Sequence, residues 1–181
     1  VDGQDVVTTI DVDYQDIVQN ALRRQLELYE AANGTAILME VKTGDIKAIA
    51  NMTRSKDGNY KEDLNYAVMD AGEPGSVIKA ATMIALLEDG FVSPYDTIDL
   101  GMTGKYKFYD LVLPESDGKG LGKVTVKRIM EKSSNGIATL VYNNYKDKPE
   151  RFVNRLYSMG LDKKNDICLK GEGVPYITVP D

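Results

Sequence analysis

Between Ser76 and Leu87 the only charged residue is Lys79, and nine of the others (Val77, Ile78, Ala80, Ala81, Met83, Ile84, Ala85, Leu86 and Leu87) are apolar. Pro74-Gly75 opens this stretch and Gly90 closes it, so a helix is predicted over 76–89. On a helical wheel these side chains leave almost no polar face, and such a helix belongs inside a protein. The fold is therefore expected to cover this helix, and whatever Lys79 does it does in apolar company.

The elements around it follow from periodicity. Asp5–Ile10 is rich in β-branched residues and reads as a strand. A helical pattern runs from about Asp13 to Ala31 with Ile17, Val18, Ala21, Leu22, Leu28 and Tyr29 mostly on one side; Asp11 or Asp13 can cap it and Asn33-Gly34 stops it. Thr35–Val41 and Ile46–Met52 are strands, and Lys42-Thr43-Gly44-Asp45 is the hairpin turn between them. Arg54–Asp63 reads as a loop. Residues 91–124 look irregular, with a short strand around Lys105–Tyr109 and a glycine-rich turn at 117–122. Helices are predicted at 125–132, 136–145 and 149–159, with Pro149 suited to a first helical position. After Gly160 the pattern is loop-like up to Pro180-Asp181.

The chain has 181 residues, enough for one domain with a real core, and 43% hydrophobic and 28% charged residues, as in a globular protein. A net charge of −6 with scattered lysines and arginines argues against nucleic acid or anionic lipid as a partner. No stretch approaches the roughly 20 apolar residues of a membrane span, and the start has no signal-peptide pattern. The single Cys168 cannot form an internal disulfide and decides nothing about compartment. With no histidine, Ser-His-Asp and Cys-His catalysis and all His-containing zinc sites are excluded. A catalytic base here has to be Lys, Asp, Glu or Tyr.

Ser76-Val77-Ile78-Lys79 puts a hydroxyl and an amine three residues apart, on one side of a helix. A serine is a weak nucleophile until a neighbour takes its proton, and a lysine can take it once burial lowers its pKa. The string alone is weak, because Ser116-Asp117-Gly118-Lys119 matches it too; that one reads as a solvated turn. A lysine on an apolar helix can also simply snorkel to water. Ser133-Ser134-Asn135 lies between two predicted helices, where Ser133 or Ser134 can be a helix cap and Asn135-Gly136 a turn. Asp110 and Glu115 could be paired acids, but no spacing singles them out. Tyr14, Tyr29, Tyr142, Tyr145 and Tyr157 read as packing residues. No nucleotide-binding glycine motif is present.

The ordered set resembles a known family. Gly72-Glu73-Pro74-Gly75-Ser76-Val77-Ile78-Lys79 is similar to the Glu-Pro-Gly-Ser-x-x-Lys signature of the class B (monofunctional) penicillin-binding proteins. Thr43–Ala50 resembles the family's hairpin and Asn65-Tyr66-Ala67 the stretch before the nucleophile. Ser133-Ser134-Asn135 matches the family's Ser-x-Asn motif in order and spacing, which turns the balance on Ser133 and Asn135 from cap to site. The third motif of the family, Lys-Thr/Ser-Gly, follows Ser-x-Asn; Lys42-Thr43-Gly44 precedes the nucleophile and cannot stand in for it. The resemblance thus implies a truncated domain, its remaining strands and one oxyanion donor lying beyond residue 181.

The resemblance implies an α+β, partial penicillin-binding serine transpeptidase fold: an antiparallel sheet covered by helices, with a helical subdomain inserted after the nucleophile helix. On that basis 1–90 would hold the sheet strands and nucleophile helix, 91–165 the helical subdomain, and 166–181 the start of the return to the sheet. The implied activity is peptidoglycan D,D-transpeptidation, with Ser76 as nucleophile, Lys79 as base, Ser133 relaying a proton and Asn135 holding the substrate amide. No metal or organic cofactor is expected. Peptidoglycan stem peptides and β-lactams are the expected partners, with other cell-wall synthesis proteins. The expected location is the extracytoplasmic face of a bacterial plasma membrane, through an upstream anchor. A serine β-lactamase or β-lactam sensor would share Ser-x-x-Lys and the fold, but Ser-x-Asn with the Glu-Pro-Gly lead-in favours the transpeptidase. A non-catalytic cell-wall assembly scaffold is the other alternative, and the intact Ser76, Lys79, Ser133 and Asn135 speak against it.

Overall fold

The computed structural model describes residues 3, 5–165, 167, 169 and 171–179; Cys168 and the closing Pro180-Asp181 lie outside them. The chain divides into two compact units, the described residues of Val1–Ala71 and Asp166–Gly173, and those of Gly72–Asn165 and Val174–Asp181.

In the first unit, helix α1 (Val12–Tyr29) lies on a three-stranded antiparallel sheet of β1 (Asn33–Met39), β2 (Ile46–Arg54) and β3 (Tyr60–Lys61), in the order β1-β2-β3. Asp11 caps α1 by accepting hydrogen bonds from the backbone N–H groups of Asp13 and Tyr14. Along β2, alternate residues Ala48, Ala50 and Met52 are buried, the period expected when one face of a strand is covered. Met52 joins Leu26 and Tyr60 in a small core. The short helix α2 (Tyr66–Met69) is held by the buried Asn51, which accepts from the Ala67 N–H and donates to Asn65.

Three expectations need correction here. Residues 5–10 form no strand: Thr9 and Asp11 make one bond each to β2, at the carbonyls of Ile46 and Lys47, and a ladder never develops. The next free backbone groups of β2, at Ile49, are taken by both ends of the Gln15 side-chain amide. The inward face of α1 therefore includes Gln15, Val18, Leu22 and Leu26, whereas Ile17, Ala21, Leu28 and Tyr29 are exposed. Lastly, the predicted loop at 54–63 contains β3, paired Thr53 with Lys61 and Arg54 with Tyr60. The Lys42-Thr43-Gly44 triplet is indeed the β1–β2 turn, where Gly44 has a φ of 81°.

The second unit is built around α3 (Ile78–Glu88), which is entered through one turn of 3-10 helix at Gly75–Val77. After it come β4 (Thr97–Asp99), β5 (Lys105–Phe108), β6 (Leu111–Pro114) and β7 (Lys123–Thr125), in two antiparallel pairs, β4 with β7 and β5 with β6. Helices α4 (Val126–Glu131), α5 (Ile137–Tyr145) and α6 (Pro149–Ser158) follow, with Pro149 in the first turn as predicted. Met83 and Leu86 of α3 pack with Leu100, Tyr106, Val126, Ile129, Ile137, Leu140 and Tyr145 in one core. Burying a side chain of this size contributes roughly 1.5–3 kcal/mol. Asp89, just past α3, accepts from the Tyr145 hydroxyl at 2.8 Å and is paired with Arg151 and Arg155, which fastens α6 to the end of α3.

The expectation of an all-round buried α3 holds for one side only. Thr82, Met83, Ala85 and Leu86 are buried, whereas Val77 is 79% and Ile84 45% exposed. Of the irregular stretch 91–124, the strand at 105–108 was foreseen and β4, β6 and β7 were not. The β5–β6 hairpin turns through Tyr109-Asp110 with Tyr109 at a φ of 50°, in place of the Asn-Gly or Asp-Gly that announces such a turn.

Candidate active site

Ser76, Lys79, Ser133 and Asn135 all belong to the second unit. Gly75 has a φ of 57°, a conformation strained for any residue with a side chain, and it links Pro74 to the 3-10 turn that carries Ser76. Ser76 is exposed, and Lys79 sits one turn on, half-buried, on α3.

Ser133 comes from the opposite direction, at the end of α4. That helix closes with the Ser133 N–H on the Met130 carbonyl and the Ser134 N–H on the Ile129 carbonyl, both at 2.9 Å. This is the Schellman ending, whose pivotal residue is left-handed and usually glycine. Here the pivot is Ser133, with a φ of 49°. The twist presents two oxygens of one residue to Lys79: its ammonium donates to the Ser133 carbonyl at 2.5 Å and to the Ser133 hydroxyl at 3.4 Å.

Asn135 follows two residues later. Its side-chain amide donates to the Pro114 carbonyl at 2.7 Å and makes no bond to Lys79. Lys79 and Asn135 both line an apolar cavity of about 660 Å³ in this unit, whose other walls include Phe108, Tyr142 and Phe152. Ser76 is not in that lining, and among the described residues its hydroxyl has no hydrogen-bond partner. The structure thus joins Lys79 to Ser133 and places Asn135 at the same cavity, while the Ser76 hydroxyl stays free on the solvent side.

Neither serine caps α5, whose N-cap is Gly136 with no side-chain cap bond. The Ser134 hydroxyl is buried and accepts from the Gly136 N–H at 2.9 Å, at the start of α5. Gly136 has no room for a side chain: an added Cβ would lie 2.4 Å from Leu100 and 3.1 Å from Tyr106.

The sequence offered Glu115 only as a possible paired acid with Asp110, with no spacing to single it out. The Glu115 carboxylate is 8% exposed and is the hub of the loop. It accepts from the Tyr106 hydroxyl at 2.6 Å, from the Ser134 hydroxyl, from the Asn135 N–H at 3.1 Å and from the Gly136 N–H at 3.4 Å. Burial pushes its pKa up, but the bonds from Ser134, Tyr106, Asn135 and Gly136 outweigh burial and hold it below the usual carboxylate range. Burial and the bond to Glu115 push the Tyr106 hydroxyl up to about 12. Lys79 is displaced downward: desolvation disfavours its ammonium, and the negative charge of Glu115 offsets that only in part. The Ser116–Lys119 tetrad lies in an exposed turn, as its sequence suggested.

This arrangement offers a hydroxyl at a helix start and, one turn away, an amine that gives up its proton more readily than a free lysine. The penicillin binding protein transpeptidase domain family matches residues 34–178. The chain belongs to that family. It is 31% identical over 178 residues to penicillin-binding protein PbpB of Mycobacterium tuberculosis, covering 95% of this chain and 26% of that protein. Against the peptidoglycan D,D-transpeptidase FtsI of Escherichia coli the identity is 28% over 180 residues, covering 94% of this chain and 29% of FtsI. The chain therefore spans little more than a quarter of these relatives. Among solved structures, penicillin binding protein 3 of M. tuberculosis superposes with a TM-score of 0.77 at 30% identity, over 93% of this chain and 38% of that one. A peptidoglycan glycosyltransferase from Burkholderia ambifaria gives 0.79 at 26% identity, over 95% and 50%. These neighbours bear out the α+β penicillin-binding transpeptidase fold expected from the sequence.

Proposed function

We propose that this chain carries the nucleophile, base and proton relay of a peptidoglycan D,D-transpeptidase. The Ser76 oxygen attacks the penultimate D-Ala carbonyl of a stem peptide while its proton passes to Lys79. The tetrahedral intermediate collapses, the C–N bond breaks, and the terminal D-Ala leaves with a proton delivered through Ser133. An amine of a neighbouring strand then attacks the ester carbonyl and gives up a proton, the bond between the acyl carbon and the Ser76 oxygen breaks, and that oxygen recovers a proton. Asn135 holds the substrate amide, and the backbone N–H of Ser76 is one oxyanion donor. A β-lactam acylates the same oxygen by opening its ring amide.

The observation that carries this reading is the contact of Lys79 with Ser133, made by a lysine whose proton is loosened by burial one turn after Ser76. Its partners are peptidoglycan stem peptides and β-lactams, together with other proteins of cell-wall synthesis. It works where peptidoglycan is cross-linked, on the extracytoplasmic face of the membrane. No helix among the described residues is long and apolar enough to cross a membrane. The test is covalent labelling of the full-length protein by a fluorescent penicillin, followed by peptide mapping. The label is expected on Ser76 and is expected to vanish in Ser76→Ala; a label on any other residue overturns the assignment.

A further inference from the structure

The Ser133–Asn135 loop is short, its first residue is held left-handed, and it does not hold itself. Its polar groups converge on one side chain twenty residues earlier in sequence. Glu115 accepts from the Ser134 hydroxyl and from the N–H groups of Asn135 and Gly136, and Pro114 next to it accepts from the Asn135 amide. Glu115 is itself fixed from behind by the Tyr106 hydroxyl and by its own N–H on the Gly104 carbonyl at 2.7 Å. A buried carboxylate with four donors is an expensive brace for a loop that a neutral acceptor could hold. It has one property such an acceptor lacks, a negative charge beside Lys79.

We propose that Glu115 is a positioning residue with two tasks: it sets the Ser133–Asn135 loop against Lys79, and it supplies the counter-charge that Lys79 feels. The proposal rests on the transpeptidase reading above. Lys79 and Glu115 are not in ion-pair contact, so the charge acts through space. The other groups around Lys79 do not duplicate it. Tyr109, Tyr142 and Tyr145 line the cavity with phenol rings, and Lys146 adds a like charge. Glu73 precedes Ser76, and Asp117 follows Glu115 in an exposed turn. Glu88 and Asp89, at the far end of α3, are satisfied by Arg151 and Arg155 of α6. On α4, Lys127, Arg128 and Glu131 pair with one another at the surface.

The experiment measures the acylation rate of the full-length protein by a fluorescent penicillin from pH 6 to 10.5, in wild type, Glu115→Gln and Glu115→Asp. Removing the charge leaves the Lys79 ammonium less stabilised, so in Glu115→Gln the rising limb moves to lower pH. Its plateau falls by about 10- to 100-fold, the cost of misplacing a catalytic group by roughly an ångström. Glu115→Asp keeps the charge but shortens the reach, so its plateau falls while its midpoint stays. A Glu115→Gln profile that matches wild type overturns the proposal. In Glu115→Gln a lowered plateau with an unmoved midpoint also overturns it, because a mere brace would behave so. If Glu115→Gln does not fold, judged by circular dichroism, the decision passes to Glu115→Asp, where a wild-type plateau or a moved midpoint overturns the proposal and a lowered plateau at the wild-type midpoint upholds it. Absence of labelling in wild type would instead bring down the transpeptidase reading itself.

Discussion

Replacing Ser133 by glycine is expected to stabilise the protein and disable it at once. Among the described residues four helices end with the same pair of backbone bonds: α1 at Glu30, α3 at Gly90, α4 at Ser133 and α6 at Gly160. Two of these pivots are glycine, and two, Glu30 and Ser133, are held left-handed with φ near 50°. The left-handed conformation costs a residue with a side chain roughly 1–2 kcal/mol. Glycine at the same place gives back part of that, about 0.4–1 kcal/mol, through the greater freedom of its unfolded chain. The net gain for Ser133→Gly is therefore about 0.5–1 kcal/mol, and the 3.4 Å contact of its hydroxyl with Lys79 is too long to offset it. Ser133→Ala removes the same hydroxyl and keeps the strain, so it should show no gain. Glu30→Gly relieves the same strain in the other unit and serves as the control: it should stabilise similarly and leave acylation untouched. Urea midpoints measure the first quantity, and the second-order rate of penicillin acylation the second. Both Ser133 variants should acylate at least about 100-fold more slowly, the scale of a lost proton-transfer group. Acylation at the wild-type rate in Ser133→Gly would refute the relay. A destabilised Ser133→Gly would refute the account of the helix ending.

Other outcomes follow from the same structure. Acylation should rise with pH through a midpoint below the free-lysine value of about 10.4, because burial loosens the Lys79 proton, and Lys79→Ala should abolish that limb. A rate that climbs only above about pH 10 would contradict it. Gly136→Ala forces a methyl against Leu100 and Tyr106 and should cost about 1–3 kcal/mol in a urea titration. Asp89→Asn strands Arg151 and Arg155 beside an uncharged partner and should destabilise by about 2 kcal/mol, less than a fully buried pair because both arginines reach solvent. Burial raises the Asp89 pKa, but the bonds from Arg155, Tyr145 and Arg151 win and lower it. The stabilisation is thus complete above the unfolded value of about 3.9 and fades as pH falls through the lower folded one, so the two proteins should converge in strong acid.

The parts of this fold that were legible in the sequence are those decided by neighbours in sequence. Gly90 stops α3, Pro149 starts α6, and Lys42–Asp45 turns one hairpin, each for a reason contained within a few residues. The parts that were missed are decided across distance. β4 and β7 are three residues each and become strands only because Thr97–Asp99 and Lys123–Thr125 find one another. Residues 5–10 have strand composition, yet the edge they approach is already occupied by the Gln15 amide. The order of Ser76, Lys79, Ser133 and Asn135 could be read as a motif. Glu115 could not, since it is one carboxylate after a short strand and gains its meaning only when α4 brings Ser134, Asn135 and Gly136 back to it.

A lysine in the role proposed for Lys79 faces two requirements that pull against each other, and the arrangement around it meets both with backbone. Lowering its pKa needs burial, but a buried ammonium without hydrogen bonds is too costly to keep. Bonds from strong anions would hold it and also raise its pKa again. The Ser133 carbonyl is a neutral acceptor, so it fixes the ammonium without the full pull of a carboxylate, while the carboxylate of Glu115 stays out of contact. The left-handed turn at Ser133 is what makes that carbonyl available. In a continuing helix it would be engaged four residues on, and here the helix has ended and the oxygen faces α3. On this account the Ser76 hydroxyl need not help to hold Lys79. In the proposed mechanism Ser76 meets Lys79 as a substrate carbonyl is bound, since catalytic contacts tighten in that complex.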